Sequence, residues 1–166
     1  ITTGDYNTAV GIGALTTNTE GVGNTASGSY ALSVNTDGNY NTASGYAALF
    51  ANIEGYSNTA LGSYAGDKIT TGSNNVIIGR SADPSANNAS NQIVIGKDAT
   101  GLGDNYAVIG NADVTRLYAA QDAGATLYAA GLNLGGTAIA ASATELNYVD
   151  GVTSAIQTQL DAKSTA

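Results

Sequence analysis

A repeat with a fixed step constrains this chain more than any other feature. Gly4, Gly21, Gly38, Gly55 and Gly72 lie 17 residues apart, as do Asn7, Asn24, Asn41, Asn58 and Asn75. Gly11, Gly28, Gly45, Gly62, Gly79 and Gly96 keep the same step, and so do Ala14, Ala31, Ala48, Ala65, Ala82 and Ala99. The unit reads G-x-x-N-T-A-x-G-x-x-A-L-x-x-N-T-x and is clearest in residues 4–20, 21–37 and 38–54. Columns that stay in phase over five or six copies imply one unit stacked on itself, each copy covering the next.

Seventeen residues are too few for a helix pair. The segment 7–11 is short and bounded by Gly, Asp and Asn, which reads as a strand between turns. Later copies are plainer strands, Val76-Ile77-Ile78 and Ile93-Val94-Ile95. Parallel strands one coil apart sit about 4.8 Å from each other, so seven coils would rise on the order of 30 Å. The expected fold is therefore all-β, a parallel β-solenoid or β-roll with a coil of about 17 residues. Ala9, Ala26, Ala43, Ala60, Ile77, Val94 and Val108 form an unbroken apolar column expected to point inward. The Asn7 column is expected to be a structural ladder, since stacked amides hydrogen-bond from coil to coil. The Gly11 column suits turns of positive φ or close backbone approach. Ile12, Ser29, Tyr46, Ser63, Arg80 and Lys97 vary freely and are assigned to the solvent face.

Composition supports a stack over an ordinary globule. The hydrophobic fraction of 43% leans on Ala, with 1 Phe and no Trp, Met or Cys. At roughly 25 cal/mol per Å² an Ala-rich chain builds only a thin core, so it relies on regular backbone pairing or on partner chains. The formal net charge of −8 has the wrong sign for tracking phosphates, so no nucleic-acid partner is expected. No apolar run nears the roughly 20 residues that span a bilayer, so no membrane insertion is expected either. No signal peptide is visible and the chain opens inside a repeat, so it reads as a piece of something longer.

The repeat decays in order. Val76-Ile77 and Ile93-Val94 replace the Thr-Ala pair, Gln92 replaces the ladder Asn, and Gly110 follows Gly96 after 14 residues, with Tyr106 in the Asn column. Three regions follow: a repetitive shaft over 1–113, an irregular β-rich transition over 114–141, and a short α-helical trimerisation segment over 142–166. The last rests on Ser142 and Glu145, a capping-box pair. Leu146, Val149, Thr153, Ile156 and Leu160 then follow with spacings of 3, 4, 3 and 4, the seam of a short coiled coil. So thin a stripe needs another helix, which further copies of the same chain would supply.

Two resemblances arise at these residues. Asn7-Thr8-Ala9-Val10-Gly11, Asn24-Thr25-Ala26-Ser27-Gly28 and Asn58-Thr59-Ala60-Leu61-Gly62 resemble the head repeats of trimeric autotransporter adhesins of the YadA type. Those repeats form a left-handed parallel β-roll that trimerises, mostly with a spacing shorter than 17. The arrays also resemble repetitive bacteriophage tail fibres of marine and cyanobacterial phages. Such fibres often carry a stretch like Ala143-Thr144-Glu145-Leu146-Asn147-Tyr148-Val149-Asp150-Gly151-Val152-Thr153, continuing through Ile156-Gln157-Thr158-Gln159-Leu160. The resemblance implies a homotrimer in a virion tail fibre, partnered by other tail or virion proteins and serving attachment to the host surface, with host-surface glycan as a candidate ligand. A bacterial surface adhesin or appendage of the same architecture is the alternative reading, and a polysaccharide-cleaving tail spike the remote third.

The residues themselves offer little catalytic chemistry. Without His or Cys there is no Ser-His-Asp triad, Cys-His dyad or ordinary zinc site. Asp98, Asp104 and Asp113 match no calcium-loop spacing, and Asp98 with Asp104 reads as solvated turn acids, not a glycosidase pair. The expectation is a structural protein, not an enzyme, with no cofactor, no metal and no catalytic residue. Tyr30, Tyr46 and Tyr64 admit two readings, packing between chains or stacking on sugars, of which packing is preferred.

Overall fold

The computed structural model describes residues 4–117 and the backbone of two further strands. Residues 1–117 form one compact unit and 118–166 a second. In the first unit seven three-residue strands make one parallel sheet in sequence order: β1 (Thr8–Val10), β2 (Thr25–Ser27), β3 (Thr42–Ser44), β4 (Thr59–Leu61), β5 (Val76–Ile78), β6 (Ile93–Ile95) and β7 (Ala107–Ile109). The register joins Ala9 to Ala26, Ala26 to Ala43, Ala43 to Ala60, Ala60 to Ile77 and Ile77 to Val94, always one 17-residue step. The last step pairs Val94 with Val108 and is 14 residues long. This is a parallel β-solenoid of about six turns, and no helix occurs among the described residues. In the second unit β8 (Leu132–Leu134) and β9 (Thr137–Ile139) pair antiparallel, with Gly135-Gly136 between them in the sequence. The seam Leu146, Val149, Thr153, Ile156 and Leu160 lies outside the described residues.

The core is thin, as an Ala-rich chain dictates. It holds Ala26, Ala43, Ala60, Ile77 and Val94 from the strands, facing Ala31, Ala48, Ala65, Ala82 and Ala99 across the coil. Leu15, Leu32 and Leu49 are its largest side chains in the early coils, and they are fully buried. In the next coil Gly66 takes the Leu position and Ile69, three residues on, fills the space. Ala9, in the first described coil, has a neighbouring coil on one side and is exposed.

Three columns per coil turn the backbone through the left-handed region, and most of their members are not glycine. One runs Tyr6, Gly23, Tyr40, Ser57, Asn74, Asn91 and Asn105; another Gly13, Tyr30, Ala47, Tyr64, Ser81 and Asp98; the third Leu15, Leu32, Leu49 and Gly66. This conformation costs an L-residue about 1–2 kcal/mol. The return is a hydrogen bond along the stack. Tyr30 N–H donates to Ile12 at 2.8 Å, Ala47 to Ser29 at 2.9 Å and Tyr64 to Tyr46 at 2.8 Å. Tyr40 donates to Val22 at 2.9 Å and Ser57 to Asn39 at 2.9 Å. Leu32 donates the other way, to Ala48 at 3.0 Å, and Leu49 to Ala65 at 3.0 Å. Because the coil above or below fixes the torsion, the residue type at these corners is free to vary.

The Gly11 column is not free. Gly28 has a φ of 141°, and a Cβ there would collide with the carbonyl of Gly45 in the next coil. The same holds from Gly11 to Gly79, each facing the glycine one coil on. Here the backbones approach too closely for any side chain.

Candidate functional site

Two constellations stand out: a buried amide network that joins successive coils, and an aromatic groove on the surface.

The amide network centres on the carbonyl of the first glycine of each coil. Gly21 O accepts Asn7 Nδ2 at 2.7 Å and Asn18 Nδ2 at 2.9 Å. Gly38 O accepts Asn24 at 2.7 Å and Asn35 at 3.0 Å, and Gly55 O accepts Asn41 at 2.7 Å and Asn52 at 3.0 Å. Two donors use both lone pairs of one carbonyl. They converge because the glycine has no side chain in the way; a Cβ on Gly38 would meet Asn35 and Asn52. The Oδ1 atoms complete the pattern. Asn7, Asn24, Asn41 and Asn58 each accept the backbone N–H of the Asn one coil on, at 2.8–3.1 Å. The Asn7 column therefore bonds from coil to coil, mainly between side chain and backbone. Direct amide-to-amide bonds run in the second column, Asn35 to Asn18 and Asn52 to Asn35, both 2.7 Å. Within the first column Asn75 Nδ2 alone adds one, to Asn58 at 3.0 Å.

The second column was missed as a ladder, although its signal was present: Asn18, Asn35 and Asn52 repeat at the same step. Both ladders end visibly. Ile69 takes the next place in the second column, and Asn52 Oδ1 is left buried without a donor. The first ends at Gln92, whose N–H still donates to Asn75 at 2.9 Å. Its longer side chain turns away to Ser85 Oγ at 2.7 Å and Asp104 at 3.2 Å. The Ser90 N–H, donating to the same Asp104 oxygen at 2.8 Å, and then the Gln92 amide hold the Asp104 carboxyl below its ordinary pKa.

The groove is lined by Tyr30, Tyr46, Ala47, Phe50, Tyr64 and Asp67 and has a volume of about 340 Å³. Tyr30 and Tyr46 meet edge to face at 5.9 Å and 81°, and Tyr46 meets Tyr64 at 5.2 Å and 70°. The three come from successive coils. Tyr46 sits one column earlier than the other two and lies between them, while Ala47 takes the tyrosine's place in its own coil. A hydrogen bond with Tyr64 holds the Tyr46 phenol above its ordinary pKa. All three tyrosines and Phe50 remain 41–46% exposed.

Asp67 borders this groove under electrostatic stress. Burial pushes its carboxyl pKa up, and the adjacent Asp83 pushes further, with only partial relief from Lys68. Asp83 is itself buried: Lys68 Nζ pairs with its Oδ2 at 2.8 Å, while its Oδ1 has no donor. The acids considered from sequence do not assemble into a pair. Asp98 is held by Arg80 at 3.0 Å and Lys97 at 3.1 Å, while Asp104 bonds Ser90 and Gln92. Among the described residues no group of three or more acidic, His or Cys side chains is placed to hold a metal ion.

Comparison with known protein families, curated proteins and solved structures finds no match.

Proposed function

We propose that this chain is a structural segment of a homotrimeric fibre of the bacteriophage-tail type, carried on the virion and serving attachment to a host surface. The observation that supports it most is the outer face of the sheet. Beside its Thr and Ser, this face carries large apolar residues from the first strand to the last, Val10, Leu61, Ile93 and Ile109, which stay 62%, 51%, 42% and 54% exposed. Tyr106 beside them is 58% exposed. An apolar face of this kind is what a neighbouring copy covers. The solenoid suits a spacer, because its length grows by whole coils without redesign of a core. The stretch 143–160 supplies the phage-type likeness; the coils alone suit a bacterial adhesin equally well. In this reading the chain catalyses nothing.

Size-exclusion chromatography with light scattering tests the trimer. The expected mass is three times the 16.4 kDa chain. A stable monomer at micromolar concentration removes the proposal's central element. Labelled antibody on intact particles then distinguishes a virion fibre from a bacterial appendage.

A further inference from the structure

We infer that the tyrosine groove is a binding site for a small quaternary ammonium compound of the choline type. Tyr30, Tyr46 and Tyr64 stand nearly perpendicular in sequence, 81° and then 70°. Walls at right angles present more than one ring face to a single guest, which is how aromatic side chains surround a cation. Phe50 and Ala47 give the site an apolar lining. Its volume of about 340 Å³ lies at the small end for ligand sites.

Charge decides the class of guest. The acid in the groove, Asp67, stands beside a second acid, Asp83, and one lysine serves the two. Lys68 is already engaged with Asp83 Oδ2 at 2.8 Å, and the buried Oδ1 of Asp83 lacks a donor. The locality is therefore short of one positive charge, and a cation against Asp67 relieves the repulsion between the carboxylates. The chain's net charge of −8 draws cations toward this surface and repels anions. A choline carried next to a phosphate, as on a lipid head group, would bring a negative charge against Asp67, so the guest is a free quaternary amine. Neither the trimer nor the virion location is needed for this site, so light scattering and ligand binding fail independently.

The test is ligand titration of the full chain, followed by NMR of the tyrosine rings. The probes are choline, its neutral isostere 3,3-dimethylbutanol, and phosphatidylcholine vesicles. Choline should bind at least about tenfold more tightly than the isostere, the ratio expected of one desolvated cation–π contact. Vesicles should not bind. Tyr46→Ala should abolish binding with the solenoid intact, since Tyr46 is half exposed and has no left-handed backbone to support. Asp67→Asn should weaken choline at least about tenfold while leaving the isostere unchanged, and its melting temperature should not fall, because it removes repulsion. Equal binding of choline and the isostere, binding of vesicles alone, unchanged affinity in Asp67→Asn, or no binding by any probe would each overturn the inference.

Discussion

At the scale of single residues, Asn41 carries more than its size suggests. It is fully buried, donates to Gly55 O at 2.7 Å and accepts the Asn58 N–H at 2.9 Å. Asn41→Ala orphans the Asn58 N–H and takes one of two donors from Gly55 O. At about 1–3 kcal/mol for each of the two buried groups so affected, the expected loss is about 2–6 kcal/mol, read from urea denaturation. Ser57 makes the opposite case. It is exposed and left-handed, with a φ of 54°, in a column that elsewhere holds Gly23. Ser57→Gly should raise stability by up to about 1 kcal/mol, and Ser57→Val should lower it. Asp67 adds a pH dependence. Its carboxyl pKa is raised on folding, so its contribution is most favourable below the ordinary Asp range and is lost as pH rises through the folded value. The melting-temperature advantage of Asp67→Asn over the parent should therefore be larger at pH 7 than at pH 4. The Asn7 column was legible because its amide both donates to a glycine carbonyl and accepts a backbone N–H one coil on. The left-handed corners were not, because neighbouring coils impose the torsion and Tyr, Ser, Leu and Asn all accept it.

At the scale of the coil, the 17-residue step is the quantity the fold protects. Deleting residues 38–54 joins Asp37 to Gly55 and recreates the junction that Asp37 makes with Gly38. The shortened chain should keep its β-type circular dichroism and unfold cooperatively, with one interface fewer. Deleting Val34 alone should be far worse, because it moves Asn35 out of line with Asn18 and Asn52. A single-residue deletion milder than the seventeen-residue one would refute the argument. The strands, their order and the shortened sixth step could all be read from the spacing, since parallel register here is nothing but the period. The groove could not. Tyr46 belongs to a different column from Tyr30 and Tyr64, so only the path of the backbone shows that the three rings meet.

At the scale of the molecule, the outer face of the seven-stranded sheet leaves Val10, Leu61, Ile93 and Ile109 exposed, and the seam from Leu146 to Leu160 lies outside the described residues. What the described unit does show is the direction of its bonds. Strand ladder, corner N–H groups and both Asn columns all link one coil to the next. A pull on the two ends of residues 4–117 would load these interfaces one after another, not all at once. Force spectroscopy should then show a sawtooth in which each event releases one coil, about 56–61 Å of chain for 17 residues at about 3.3–3.6 Å each. One rupture that frees the whole stack would contradict it. A material that yields coil by coil absorbs sudden tension without breaking, a mechanical property written into the orientation of its hydrogen bonds.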